Sequence, residues 1–75
     1  MAIHIQWEFV NSSNIEAIAY NENNEKLYIR FLKGSVYEYA LVPQEVFNEF
    51  RIAESHGKYF INYIKGVYSY NRIDN

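Results

Sequence analysis

Lys26-Leu27-Tyr28-Ile29-Arg30-Phe31-Leu32-Lys33-Gly34-Ser35-Val36-Tyr37-Glu38-Tyr39-Ala40 reads as a β-hairpin. Residues 26–31 alternate: Leu27, Ile29 and Phe31 point one way, and Tyr28, Arg30 and Leu32 point the other. Lys33-Gly34 is a tight turn, because glycine takes positive φ without steric penalty. Residues 35–40 return as the partner strand. Upstream, Ile15-Glu16-Ala17-Ile18-Ala19-Tyr20 is a further strand whose imperfect alternation suggests a bulge. The polar run Asn21-Glu22-Asn23-Asn24-Glu25 turns it into the hairpin. Short loops favour an antiparallel meander of these three strands.

Downstream the period changes. Pro43 forces Val42 to be extended, and its own φ suits the first turn of a helix. Val46, Phe47, Phe50 and Ala53 recur at helical spacing, and Gly57 reads as the helix stop. Lys58 to Lys65 forms a second, shorter helix with Phe60 and Ile64 on one face, ended by Gly66. Residues 67–73 read either as an extended tail or as an edge strand. The expected fold is α+β: a three-stranded antiparallel meander followed by two helices packed on one face of the sheet. The other face is then open and carries Tyr28, Arg30, Val36 and Glu38. Residues 1–11 are an N-terminal arm or an extra strand, with Trp7 and Phe9 alternating and His4 in the arm. Residues 12–73 are a single domain.

Composition narrows the chemistry. Seventy-five residues allow one domain. Cysteine is absent, which removes disulfides and thiolate zinc sites and fits a reducing cytoplasm. Eight Tyr, five Phe and one Trp must then supply much of the core. No run of apolar residues approaches the ~20 needed to span a bilayer, and the N-terminus lacks a basic start and apolar stretch. The net charge of −2 argues mildly against non-specific polyanion binding. The charge is uneven: residues 1–50 hold seven Glu against Lys26, Arg30 and Lys33, whereas residues 51–75 hold four bases against Glu54 and Asp74.

The ordered features Ser12-Ser13-x-Ile15, Tyr20, Leu27-x-Ile29-x-Phe31-x-x-Gly34 and Tyr37-x-Tyr39 open a longer pattern. Val42-Pro43, Phe47, Ala53-x-Ser55-x-Gly57-x-Tyr59-Phe60 and Ile64-x-x-x-Tyr68 complete it. The set resembles the KTSC domain, which is named for its occurrence at the C-terminus of some lysyl-tRNA synthetases. The family also occurs as short stand-alone bacterial and phage proteins. Three positions depart from it: Phe47 stands where the family often has Tyr, Lys65 where it often has Arg, and Ile61 where it often has Asn or His. The resemblance implies a domain identity and an RNA-related context, not an established activity.

No catalytic constellation stands out. Ser55-His56 are adjacent, and neighbouring residues rarely aim their side chains together as a nucleophile and base must. His4 and His56 are too far apart in sequence to suggest a metal site. Glu45 and Glu49 lie one turn apart on a solvated helix face, and no glycine-rich phosphate loop exists. The chain is therefore expected to be non-catalytic, without cofactor or metal.

Two functions remain. The first is binding of RNA or tRNA through a basic-aromatic C-terminal surface, where Lys58, Lys65 and Arg72 contact phosphate and Tyr63 or Tyr70 stacks on bases. Arg30 and Tyr28 on the open sheet face are a second contact zone. The alternative is a protein-interaction module using a sheet edge or a tyrosine-rich surface, as a monomer or weak dimer. Tyr37 and Tyr39 share a strand face and serve either as core or as stacking platforms; with Pro43, Gly57 and Phe60 they are the structural motif positions. A contiguous Lys-Tyr surface favours the first function, and tyrosines exposed away from lysine favour the second.

Overall fold

The computed structural model describes residues 5–74, so the expectation for His4 lies outside the described residues. Five strands form one antiparallel sheet in sequence order: β1 (Glu8–Phe9), β2 (Ile15–Asn21), β3 (Lys26–Phe31), β4 (Val36–Tyr39) and β5 (Tyr70–Arg72). The three-stranded meander is therefore the centre of a wider sheet. Both additions are short edge strands whose periodicity is too brief to decide from sequence. Glu8 pairs with Ile18 on one side, and Tyr37, Glu38 and Tyr39 pair with Arg72, Asn71 and Tyr70 on the other.

The imperfect alternation of β2 is a bulge. Ile15 pairs with Phe31 and Ala17 with Arg30, which leaves Glu16 as the extra residue. Ile15 and Ile18 are three apart, so a regular strand would place them on opposite faces. The bulge resets the phase, and both become fully buried in the same core. Ala17 and Ala19 fall on the reverse face.

That reverse face is not the open surface the hairpin suggests. Tyr28 is 4% exposed and Val36 8% exposed. The Trp7 ring lies 4.9 Å from the Arg30 guanidinium, and Ile5 and Gln6 border Tyr28 around a cavity of about 390 Å³. The N-terminal segment supplies cover that alternation within β3 could not reveal.

Two helical segments pack on the other face. The first, α1 (Gln44–Arg51), starts one residue later than expected: Pro43 is its N-cap, extended at φ −62° and ψ 149°. The Pro43 carbonyl accepts from the Val46 and Phe47 amides at 3.0 and 3.3 Å. Phe50 is its buried anchor, and Ala53 falls beyond the helix end. The second segment begins at His56 rather than Lys58, because Ser55 caps it and accepts from the Lys58 amide at 3.2 Å. It runs as α2 (His56–Tyr59) and continues as a π turn over Phe60–Ile64. Gly57 is thus inside a helix and stops none. Its lack of a side chain admits Asn14, whose Oδ1 would sit 3.0 Å from a Cβ built there.

The core comprises Ile15, Ile18, Leu27, Ile29, Tyr39, Val42, Phe50, Phe60 and Ile64. Tyr20 ties the sheet to the entry of α1. Its ring stacks on Phe47 at 4.9 Å, and its hydroxyl donates to the Val42 carbonyl at 2.6 Å. Burial, followed by Glu25 and Glu22, raises the Tyr20 phenol above its usual pKa, consistent with a phenol held as the neutral donor. Tyr20→Phe keeps the stacked ring but leaves that carbonyl without its donor. Stability should fall by about 1 kcal/mol, measured as a lower urea midpoint with an unchanged slope.

Candidate nucleic-acid interface

Alternation along β4 decides where the site forms. Ser35, Tyr37 and Tyr39 fall at positions i, i+2 and i+4 and so share the face that meets the helices. Tyr70, paired with Tyr39 across the β4–β5 ladder, joins that face. The rings of Tyr37 and Tyr70 stack nearly parallel, with centroids 5.4 Å apart and planes 11° apart. Phe60 approaches from the helical layer and packs edge-on against Phe31 at 5.5 Å and Tyr39 at 5.9 Å.

Between the sheet and the second helical segment lies a cleft of about 590 Å³. Phe31, Tyr37, Tyr39, Phe60 and Tyr70 give it aromatic walls. Lys33 reaches it from the β3–β4 turn and Lys65 from the end of the π turn. The lining contains both lysines and no carboxylate, so the local potential is positive on a chain of net charge −2. Leu32 and Ile61, both more than half exposed, add apolar lining.

Tyr37 and Tyr39 stand where the core meets the cleft. Tyr39 is 2% exposed and part of the core, yet it lines the cleft beside the half-buried Tyr37. Burial, followed by the neighbouring Tyr37 and Tyr70, pushes the Tyr39 phenol up to about 12. The Tyr59 phenol is also pushed up to about 12, by burial and then by its 3.0 Å hydrogen bond to the Glu49 carboxylate.

Of the basic and aromatic residues singled out in the sequence, the fold brings Lys65 and Tyr70 together and separates the rest. Tyr63 is exposed and tilted against Tyr59 at 4.8 Å, outside the cleft lining. Lys58 is exposed on α2, also outside it. Arg72 is held by Asp74 in a two-pronged ion pair, Nε to Oδ1 at 2.8 Å and Nη2 to Oδ2 at 3.0 Å. Asp74 Oδ1 also accepts from the Val36 amide at 2.9 Å. These bonds hold the Asp74 carboxyl well below the usual carboxylate range and raise the Arg72 guanidinium. Arg30, still partly exposed, lies against Trp7, and Tyr28 is buried, so the two do not share an open face.

Lys33, Ser13 and Asn14 line the cleft but are not among the contact residues that the sequence points to. The Lys33-Gly34 turn was the only signal for Lys33: a turn beside Tyr37 carries its lysine toward the same end of the sheet. Ser55 and His56 are occupied structurally, Ser55 as a cap and His56 through Nε2, 3.2 Å from the Arg51 carbonyl. Among the described residues no cluster of His, Cys, Asp or Glu is suited to a metal. No helix there is long and apolar enough to cross a membrane.

The KTSC domain model matches residues 11–68. A lysine–tRNA ligase of Nostoc sp. is 39% identical over 61 residues, which is 81% of this chain and 11% of the ligase. The chain thus spans about a tenth of the ligases it matches. A small protein of Tsukamurella paurometabola is 41% identical over 56 residues, covering 75% of this chain and 84% of that protein. The crystal structure of a KTSC domain protein from Yersinia pestis aligns with a TM-score of 0.89 at 35% identity, over 95% of this chain and all of that one. The chain belongs to the KTSC domain family.

The buried phenol gives a direct check on the cleft. The unfolded chain releases the Tyr39 proton near pH 10 and the folded protein near 12. This contribution to stability is complete below pH 10 and lost as pH rises toward 12. Ultraviolet titration should show late-ionising tyrosines, one of them absent in Tyr39→Phe. Tyr39→Ala should cost about 3–5 kcal/mol, as aromatic truncations in cores do, read from chemical denaturation.

Proposed function

We propose that this KTSC domain binds single-stranded RNA, or the unpaired bases of a folded RNA such as tRNA, through the cleft between β4–β5 and the π turn. One observation carries the reading: aromatic walls and two lysines converge on one concavity whose lining holds no carboxylate. Rings offer stacking surfaces to unpaired bases, and each lysine attracts phosphate. The surface is a contiguous Lys-Tyr one, the arrangement that favours nucleic acid over a protein partner. The lysine–tRNA ligase relatives, which carry a matching segment of 61 residues, support the same context. Lys65, Lys33, Tyr70 and Tyr37 are the contact residues, with Phe60 and Tyr39 as supporting walls. The role is binding, with no chemistry on the RNA.

The protein-interaction reading draws on Phe9, which is 70% exposed on the β1 edge, and on Ile52, 82% exposed after α1. These side chains stand on separate elements, and isolated exposed apolar residues are ordinary. The cleft is the more specific feature.

Fluorescence anisotropy with a short mixed-sequence RNA at two salt concentrations tests the proposal. Lys33→Glu with Lys65→Glu should abolish binding at moderate salt, and neutral replacements should lower the salt slope by about 1 per lysine. Lys58→Glu, outside the cleft, should change affinity little. Asp74→Asn keeps an acceptor for the Val36 amide and releases Arg72, so it should tighten binding severalfold at low salt. Affinity indifferent to Lys33 and Lys65 would remove the cleft from consideration.

A further inference from the structure

The cleft contains a polar group that the fold leaves without a partner. Ser35 is 3% exposed and belongs to the lining, and its Oγ makes no hydrogen bond. Its backbone is engaged, with the carbonyl accepting from the Phe31 amide at 2.9 Å. A buried hydroxyl without a partner is destabilising, and alanine would occupy the same backbone without that cost. The other unpartnered buried side-chain atom among the described residues, His56 Nδ1, lies outside the cleft lining.

The position of Ser35 suggests what completes it. It immediately precedes β4, on the side of the chain that Tyr37 and Tyr39 continue, two residues before the ring that stacks on Tyr70. A flat ligand lying on the aromatic wall would extend its edge toward that hydroxyl. Lys33 and Lys65 supply cationic groups in the same space. The cleft, about 590 Å³, falls in the size range of small-molecule sites. That volume suits one nucleotide rather than a duplex.

We infer that Ser35 is a base-reading residue. The cleft takes one unpaired nucleotide, with its face on the aromatic wall, its hydrogen-bonding edge turned to Ser35 Oγ and its phosphate on Lys33 and Lys65. This rests on the RNA reading above and adds selectivity to it. Stacking alone tolerates every base, because each has a π face. A hydroxyl is both donor and acceptor, and a buried one discriminates because a mismatched edge leaves it unpaired. An apolar side chain from a protein would leave Ser35 unpaired as well. The π turn that places Phe60 and Ile61 on the opposite wall is of a kind that recurs at functional sites.

The experiment is a nitrogen-15 NMR titration of the intact protein with AMP, GMP, CMP and UMP, repeated on Ser35→Ala. One base should bind about tenfold ahead of the weakest, with shifts centred on Ser35, Tyr37 and Tyr70. Ser35→Ala should lose that lead while retaining lysine-dependent RNA binding and a melting temperature no lower than the parent. Ser35→Cys, similar in volume and a weaker hydrogen-bonding group, should show a partial loss of the same preference. Equal binding of the four mononucleotides, or a preference that survives in Ser35→Ala, overturns the inference. If RNA binding still depends on Lys33 and Lys65 in that case, the cleft reading stands. Absence of both mononucleotide and RNA binding overturns both.

Discussion

The contact of Phe60 with Phe31 and Tyr39 is the constraint on which the rest depends. Its edge-on approaches at 5.5 and 5.9 Å set how closely the second helical segment meets the sheet. A chain of 75 residues without cysteine must hold its layers together by packing alone. Large rings do this by burying much area per residue, but they do not fill space evenly. Where Phe60 meets Tyr39 the layers close into core, and where Tyr37 turns to Tyr70 they part. The cleft is the gap that remains beside the closest contact, so the same rings stabilise the fold and line the site.

What the sequence disclosed follows how local each signal is. The hairpin 26–39 was legible because alternation and a glycine turn act within a few residues. The break at Pro43 was legible because proline constrains its own neighbour. The bulge was visible as imperfect alternation over residues 15–20, although its place at Glu16 was not. The reverse face was misjudged because the burial of Tyr28 involves residues more than twenty positions away, among them Ile5 and Gln6. Gly57 was misread for a related reason: a glycine needed for close approach to Asn14 has the same appearance in sequence as one that ends a helix. Of the residues that line the cleft, Lys65 and Tyr70 stood out in the sequence because bases and rings interleave there. Lys33 did not, because its proximity to Lys65 exists only after the hairpin has folded under the π turn.

Net charge describes this protein poorly as a binding surface. Seven glutamates lie in the first fifty residues, but none lines the cleft. Several are engaged elsewhere: Glu8 with Arg51 at 2.8 Å, Glu38 with Lys26 at 3.3 Å, and Glu49 with the Tyr59 hydroxyl. The exposed Glu8–Arg51 pair contributes little to stability, but it and the Glu38–Lys26 pair cancel charge locally. Arg72 is cancelled in the same way by Asp74. Lys33 and Lys65 are left to set the potential of the cleft, where low-dielectric aromatic walls weaken screening relative to open water.

The π turn connects that charge to the aromatic wall. In a continuous α-helix the Lys65 amide would bond four residues back, to Ile61. Here it reaches the Phe60 carbonyl, five back, at 2.8 Å. The wider turn keeps Phe60 and Ile64 in the core and leaves Ile61 at the cleft. Lys65 then leaves the helix in an extended conformation, at φ −64° and ψ 125°, and Gly66 follows at φ +79°. Any L-residue with a side chain would be strained at that φ, so the chain redirects there. That redirection allows Tyr70 to return as an edge strand beside Tyr39. The helix end, the glycine and the edge strand therefore form one device: regular α-geometry through residue 65 would shift the lysine relative to the wall on which it converges.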